Sequence, residues 1–497
     1  MEVEGEARRS KSPKVFLAAL LCLAVFAPLF MYVGSVDADD GEAELGRDSG
    51  GNSGKCPKKE GAVTVPGADF QDADCLRDLT TAGTQETGHT DRKDWDGLHA
   101  EGTENPSGVP GLHVDGCFPD DSTTNTTSAN IDTNNTCEHD SQFVIRFPND
   151  WNGKLVITGA PGVREQYAND FIISDYVLDK GYAFASTDKG NTGVNFYDDG
   201  SEPGGSIAEW HERVEQLTRA TKKAAKDNYG KRPERTYITG ISNGGYLTRY
   251  ALENTPELYD GGVDWEGTLF LEEGPNLLTF LPPTLRNYPE CKTDRESGQS
   301  LEESEACQNI VEAGFAPESE FLWDEHYTIY WDLTQRIYRE EFDPEYDGAL
   351  KAGIPFCQPG TPNCDADYDY DERPQEVRDA MGSVSNTGDI GKPMITLHGT
   401  LDTLLPIEPD SDVYRKLVKE EGNKKRHRYY VIDEGNHVDS FYEGNEDRLR
   451  PMLPCHRTAF DDLVAWVERG KKPPKNQFVN KPKGGDVVNS CEIGKEE

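Results

Sequence analysis

Gly240-Ile241-Ser242-Asn243-Gly244-Gly245 constrains this chain more than any other stretch. It follows a strand-like run, Arg235 to Thr239, and opens a helix-like one, Tyr246 to Glu253. A serine between a strand and a helix sits on a tight turn, and glycines flank it because the turn leaves little room for side chains. The pattern G-x-S-x-G is common by chance. It carries meaning only if an acid and a histidine follow in suitable places.

Both do. Lys392 to Asp402 reads as a buried strand ending in a loop with an aspartate, and Arg428 to His437 reads as a second strand and a loop with a histidine. Helical spacing runs between them from Glu408 to Val418. The order Ser242, Asp402, His437 is that of nucleophile, acid and base in an α/β-hydrolase. Asp410, Asp412 and Asp433 are rival acids, but Asp402 directly follows a strand end. Ser242 needs an adjacent base to become a nucleophile. His437 would take its proton, and Asp402 would fix the imidazole tautomer.

An oxyanion hole needs two backbone N–H groups. Asn243, just after the nucleophile, supplies one. Thr158-Gly-Ala-Pro-Gly162, after the strand Lys154–Thr158, supplies the other, and Ala160 is the expected donor because Pro161 has no N–H. A plain strand-to-loop turn is the alternative.

The expected fold class is therefore α/β: an α/β-hydrolase fold, a mostly parallel central sheet flanked by helices. Strands are expected at 142–147, 154–158, 181–186, 235–239 and 267–271, with a long amphipathic helix at 207–229. The core pattern stops from about Thr279 to Gly388, a stretch with four cysteines and many aromatics. It is expected to be a disulfide-tied, mostly helical lid insertion. The resulting organisation is a signal peptide or membrane anchor (1–38), an acidic linker (39–60) and a cysteine-containing N-terminal extension (61–140). The first part of the core (141–278) follows, then the lid (279–388), the second part of the core (389–470) and a C-terminal tail (471–497).

The net charge of −40 disfavours nucleic acid and anionic membrane surfaces as partners. Basic residues Arg8, Arg9, Lys11 and Lys14 precede an apolar run, Val15 to Val33, which reads as an export signal or an uncleaved anchor. The expected location is extracellular, secreted or anchored to the cell membrane. Ten cysteines remain after Cys22, an even number that suggests a disulfide framework in an exported protein. Neighbour pairing is the simplest connectivity: 56–75, 117–137, 291–307, 357–364 and 455–491. Asn125 and Asn134 begin glycosylation sequons.

Asp365, Asp367, Asp369 and Asp371 alternate in one loop and could point oxygens at a calcium ion. A solvated acidic loop is the favoured alternative. No cofactor is required for the chemistry above, and a structural calcium is the one candidate.

Trp151-Asn-Gly, Ala185-Ser-Thr-Asp-Lys-Gly-Asn191, Gly240 to Gly245, His398-Gly-Thr-Leu-Asp402 and Gly435-Asn-His437 together resemble the secreted tannase and feruloyl esterase branch of α/β hydrolases. The chain is also similar to the extracellular 3-hydroxybutyrate-oligomer hydrolases. The resemblance runs from about Trp151 to Trp466 and implies a secreted serine esterase with a large lid. It implies a phenolic ester or a hydroxyalkanoate oligomer as substrate. The chain departs from tannases at Ile241 and Val438, where those enzymes carry a cysteine pair beneath the triad. A secreted serine peptidase using the same triad is the alternative function.

Overall fold

The computed structural model describes residues 63–120, 137, 139–200, 202–346, 348 and 365–494. The apolar N-terminal run, the acidic linker, both sequons, Cys56, Cys357 and Cys364 lie outside them. Among the described residues no helix is long and apolar enough to cross a membrane.

Ten strands form one sheet: β1 (Phe70–Leu76), β2 (Gly111–Cys117), β3 (Gln142–Pro148), β4 (Lys154–Gly159), β5 (Ala183–Thr187), β6 (Arg235–Ile241), β7 (Gly261–Trp265), β8 (Met394–Gly399), β9 (His427–Ile432) and β10 (Gln477–Val479). Their order is β1-β2-β3-β5-β4-β6-β7-β8-β9-β10. Pairing is antiparallel from β1 to β5 and parallel from β5 to β10. This is the α/β-hydrolase architecture.

The sheet is buried on both faces, so its strands are apolar on alternate sides. Phe143, Ile145, Phe147, Leu155 and Ile157 join the core under one layer of helices, while Val144 and Val156 join the core under the other. The helix Gly205–Tyr229 covers the first face with Trp210, Val214, Leu217 and Ala224, a stripe at helical spacing. It ends on Gly230 in the left-handed conformation, an ordinary helix stop. The helix Leu453–Arg469 covers the second face with Phe460 and Leu463.

Three elements differ from expectation. The stretch before Asp140 supplies β1 and β2, which extend the sheet. Its Asp- and Gly-rich strands lack the apolar alternation that marks a strand in sequence. The strand after the elbow helix is Gly261–Trp265, not 267–271, because Gly261-Gly262 reads as a turn although both glycines are buried in the parallel ladder. The tail adds β10 beside β9 and is tied by the Cys455–Cys491 disulfide. Cys117–Cys137 and Cys291–Cys307 are also bonded, as neighbour pairing expects. Cys75 is disulfide-bonded as well.

Between β7 and β8 the chain leaves the sheet and forms helices at Leu277–Glu296, Glu305–Glu312, Trp331–Phe342 and Gln375–Ser383. The Cys291–Cys307 bond joins the first two.

Candidate active site

The chain passes from β4 to β5 on one side of the sheet and then crosses back to β6 on the other. That reversal brings the loops leaving β4 and β6 together at the carboxyl ends of neighbouring strands, the place where open α/β sheets bind ligands. Ser242 follows β6 there, with φ 58° and ψ −122°, a strained conformation for a residue with a Cβ. The surroundings enforce it: Ser242 N–H donates to Trp265 O at 3.0 Å, and Ser242 O accepts from Tyr246 N at 2.9 Å. Ser242 stands at the N-cap of the elbow helix Asn243–Asn254, yet its hydroxyl makes no capping bond. Serine at this position usually spends its oxygen on the helix. The flanking glycines are required by contact: a Cβ on Gly240 would lie 2.6 Å from the Gly244 backbone, and one on Gly244 would lie 2.6 Å from Gly159 O.

Asp402 and His437 leave the ends of β8 and β9. His437 Nδ1–H donates to Asp402 Oδ2 at 2.8 Å. Asp402 Oδ1 accepts two backbone N–H groups, from Leu404 and Leu405, each at 2.8 Å. Burial alone would raise the Asp402 pKa. The charge of His437 and hydrogen bonds from His398 and His437 overcome it and hold this carboxyl well below the usual range. Asp402 therefore stays ionised and fixes the His437 ring through Nδ1.

Sequence reasoning missed several neighbours. His398 is fully buried, with Nε2 2.8 Å from Leu405 O and 3.3 Å from Asp402 Oδ2, and Nδ1 2.7 Å from Ser411 Oγ. Ser411 continues to Arg249, which is ion-paired with Asp264 at 2.7 Å and Asp410 at 2.9 Å. A buried polar chain thus runs from the elbow helix to the acid. Glu266, just after β7, is also fully buried. Its Oε1 accepts from Gly399 N–H at 2.7 Å, and its Oε2 lies 3.9 Å from His437 Nδ1. Burial and the nearby Asp402 charge push its pKa well above the ordinary value.

The insertion between β7 and β8 reaches the same place. Tyr338 OH donates to Asn243 Oδ1 at 2.9 Å, Trp331 Nε1 donates to Thr403 O at 2.6 Å, and His326 Nε2 is 2.8 Å from Thr403 Oγ1. Burial lowers the His326 pKa to about 4, so it is neutral at physiological pH.

Ala160 does not serve as the oxyanion donor. Its N–H donates to Thr187 O at 2.9 Å, because the β4–β5 ladder runs one residue past Gly159. Gly162, two residues on, is tied to the residue after Ser242: Asn243 Nδ2 donates to Gly162 O at 3.1 Å.

Among the described residues, Asp365, Asp367, Asp369 and Asp371 are not brought together as a converging set of carboxylates. Asp365 is buried and 3.4 Å from Arg339 Nε. Asp369 accepts from Asp371 N–H at 3.1 Å, and both of these residues are exposed. Among the described residues the carboxylates that converge are elsewhere: Glu266 and Asp402 with His398, and Asp120, Asp199 and Glu209. Arg213 answers the second group, at 2.7 Å from Glu209.

Residues 125–264, which include Ser242, match the family model of tannase and feruloyl esterase. Residues 363–495, which include Asp402 and His437, match the family model of 3HB-oligomer hydrolase. D-(-)-3-hydroxybutyrate oligomer hydrolase of Paracidovorax citrulli is 28% identical over 124 residues, covering 23% of this chain and 18% of that protein. The same enzyme of Polaromonas naphthalenivorans is 31% identical over 120 residues, covering 23% and 17%. The chain thus spans less than a fifth of the length of these curated relatives. Among solved structures, feruloyl esterase B from Aspergillus oryzae aligns with TM-score 0.49 and 14% identity over 83% of this chain and 89% of that one. Tannin acyl hydrolase from Aspergillus niger aligns with TM-score 0.49 and 14% identity over 83% and 86%. The chain has the α/β-hydrolase fold and resembles the tannase and feruloyl esterase family over residues 125–264 and the 3-hydroxybutyrate-oligomer hydrolases over residues 363–495.

Proposed function

We propose that this chain is a secreted serine esterase in which Ser242, His437 and Asp402 form the catalytic triad. One observation carries the reading: the buried 2.8 Å bond from His437 Nδ1 to Asp402 Oδ2 on two strand-end loops, in a chain that also holds a strained strand-to-helix serine at the end of β6. Ser242 Oγ attacks the ester carbonyl carbon while its proton passes to His437 Nε2. The oxyanion is met by the N–H groups of Asn243 and Gly162. The C–O bond then breaks, His437 returns the proton to the leaving alkoxide, and water releases the acyl group by the same steps in reverse.

The substrate we assign is a hydroxyalkanoate oligomer. The acid and base half matches the oligomer-hydrolase family, and Ile241 and Val438 stand where tannases carry a cysteine pair. The insertion between β7 and β8 acts as a lid, since Tyr338 and Trp331 touch the residues that follow the nucleophile and the acid. The disulfides favour an oxidising compartment.

The test is a panel on the purified protein: a hydroxybutyrate trimer, p-nitrophenyl butyrate, methyl ferulate, methyl gallate and an aminoacyl anilide. Turnover of the trimer above the phenolic esters, lost in Ser242→Ala with the fold intact, is expected. Selective turnover of ferulate or gallate overturns the substrate assignment. Cleavage of the anilide alone selects a peptidase, and full activity in Ser242→Ala removes the mechanism.

A further inference from the structure

We infer that His437 is served by two acids, with Glu266 held in reserve as a positioning residue behind Asp402. The inference rests on the serine-hydrolase reading above. Glu266 directly follows β7, the strand next to β8, so the two carboxyls leave adjacent parallel strands and both face His437 Nδ1. Asp402 Oδ2 stands 2.8 Å from His437 Nδ1 and Glu266 Oε2 stands 3.9 Å from it, a difference of about one ångström. Glu266 is anchored at its other oxygen by Gly399 N–H, which belongs to the strand that carries Asp402. It also sits at φ 49°, left-handed backbone that a glutamate adopts only when its surroundings hold it there. Burying a carboxyl in that conformation, against another carboxyl, is costly unless the position is used.

The groups facing Glu266 decide which acid carries the charge. From β8 and its loop come Asp402 and His398, and from the loop after β9 come His437 and Asp439. Two carboxylates so close in a dry pocket do not both ionise readily. Asp402 has His437, His398 and two backbone N–H groups, so it takes the charge and Glu266 keeps a proton. Neutralising Asp402 removes the like charge that keeps Glu266 protonated. Glu266 then ionises at lower pH and takes over the orientation of the imidazole.

The readout is the rate at which a fluorophosphonate labels Ser242. Serine Oγ forms the P–O bond, the P–F bond breaks, and the serine proton passes to His437. This reports on the base whatever the natural ester is. Loss of the acid alone costs about 10⁴-fold in a serine protease that has no reserve. Here Asp402→Asn should cost about 10²- to 10³-fold, and its labelling rate should climb at least tenfold as Glu266 ionises on the alkaline side. Adding Glu266→Gln, which keeps the acceptor for Gly399 N–H, should remove that climb and cost a further tenfold or more. Equal rates and equal pH profiles for Asp402→Asn with and without Glu266→Gln overturn the proposal. If Asp402→Asn does not fold, the single variant Glu266→Gln carries the test. The wild-type profile should then show an alkaline inflection that the variant lacks, and identical profiles overturn the proposal. A wild-type Ser242 that fails to label refutes the serine-hydrolase reading instead, so the two failures are distinct.

Discussion

Replacing Arg249 by leucine should be among the most damaging single changes in the core. Its guanidinium is fully buried between Asp264 at 2.7 Å and Asp410 at 2.9 Å, and it lies 4.4 Å from the Tyr414 ring centroid. Leucine fills much of the stem volume but leaves two buried carboxylates facing each other. Breaking a buried ion pair from one side costs about 3–5 kcal/mol, chiefly through the charge left behind. At ~2.1 cal/mol/K per residue, a folded unit of this size has an unfolding entropy of about 0.9 kcal/mol/K, so the melting temperature should fall by roughly 4 °C. The deficit should depend on pH. Burial already holds the Asp410 carboxyl above its usual range against the pull of Arg249, and losing the cation raises it further. A carboxyl whose folded pKa exceeds its unfolded value favours the native state at low pH and loses that contribution as pH rises through the folded value. The variant should therefore lose more at pH 8 than at pH 5. Adding Asp264→Asn and Asp410→Asn should restore more than half of the loss. Differential scanning fluorimetry at both pH values reads all three proteins. A drop under about 1 °C, a deficit equal at the two pH values, or a further loss on adding the asparagines would refute the argument.

Gly244→Ala places a Cβ 2.6 Å from Gly159 O and so presses on the loop that carries Gly162. Esterase kcat/KM should fall at least tenfold while the circular dichroism spectrum is retained. Replacing Cys455 and Cys491 by serine frees a loop closed over a sequence separation of 36, which the chain-entropy relation values at about 3.8 kcal/mol. A urea midpoint unchanged from wild type would show that β10 holds the tail without the bond. Glu341 accepts from Ser206 N–H at 3.1 Å, and burial raises its pKa to about 8. Its contribution is full below the unfolded value of about 4.3 and is lost as pH rises toward 8. Glu341→Gln should then flatten the fall in stability over that window, by up to about 1.4 kcal/mol per pH unit.

Each part of the candidate site was legible in the sequence to the extent that local rules fixed it. Ser242 announced itself because a strand, two glycine contacts and a helix are all short-range. Asp402 and His437 followed because each ends a run of apolar β-formers. Glu266 stayed hidden for a related reason: Gly261-Gly262 concealed β7, so the glutamate did not look like a strand-end residue. In sequence Trp331 and Tyr338 are only aromatics of the insertion, and only its packing turns them, with His326, toward Thr403 and Asn243.

By itself the sequence determined most of the sheet's core strands, the long helix expected at 207–229 and found at Gly205–Tyr229, and three neighbouring cysteine pairs, 117–137, 291–307 and 455–491. These depend on period, turn chemistry and short loop closure, which neighbouring residues decide. Tertiary structure alone decided that the Ala160 amide is spent on Thr187 and that Glu266 stands behind Asp402. Each of these turns on which strands are adjacent or how far a ladder runs, and such distances are set by the whole sheet rather than by any segment of it.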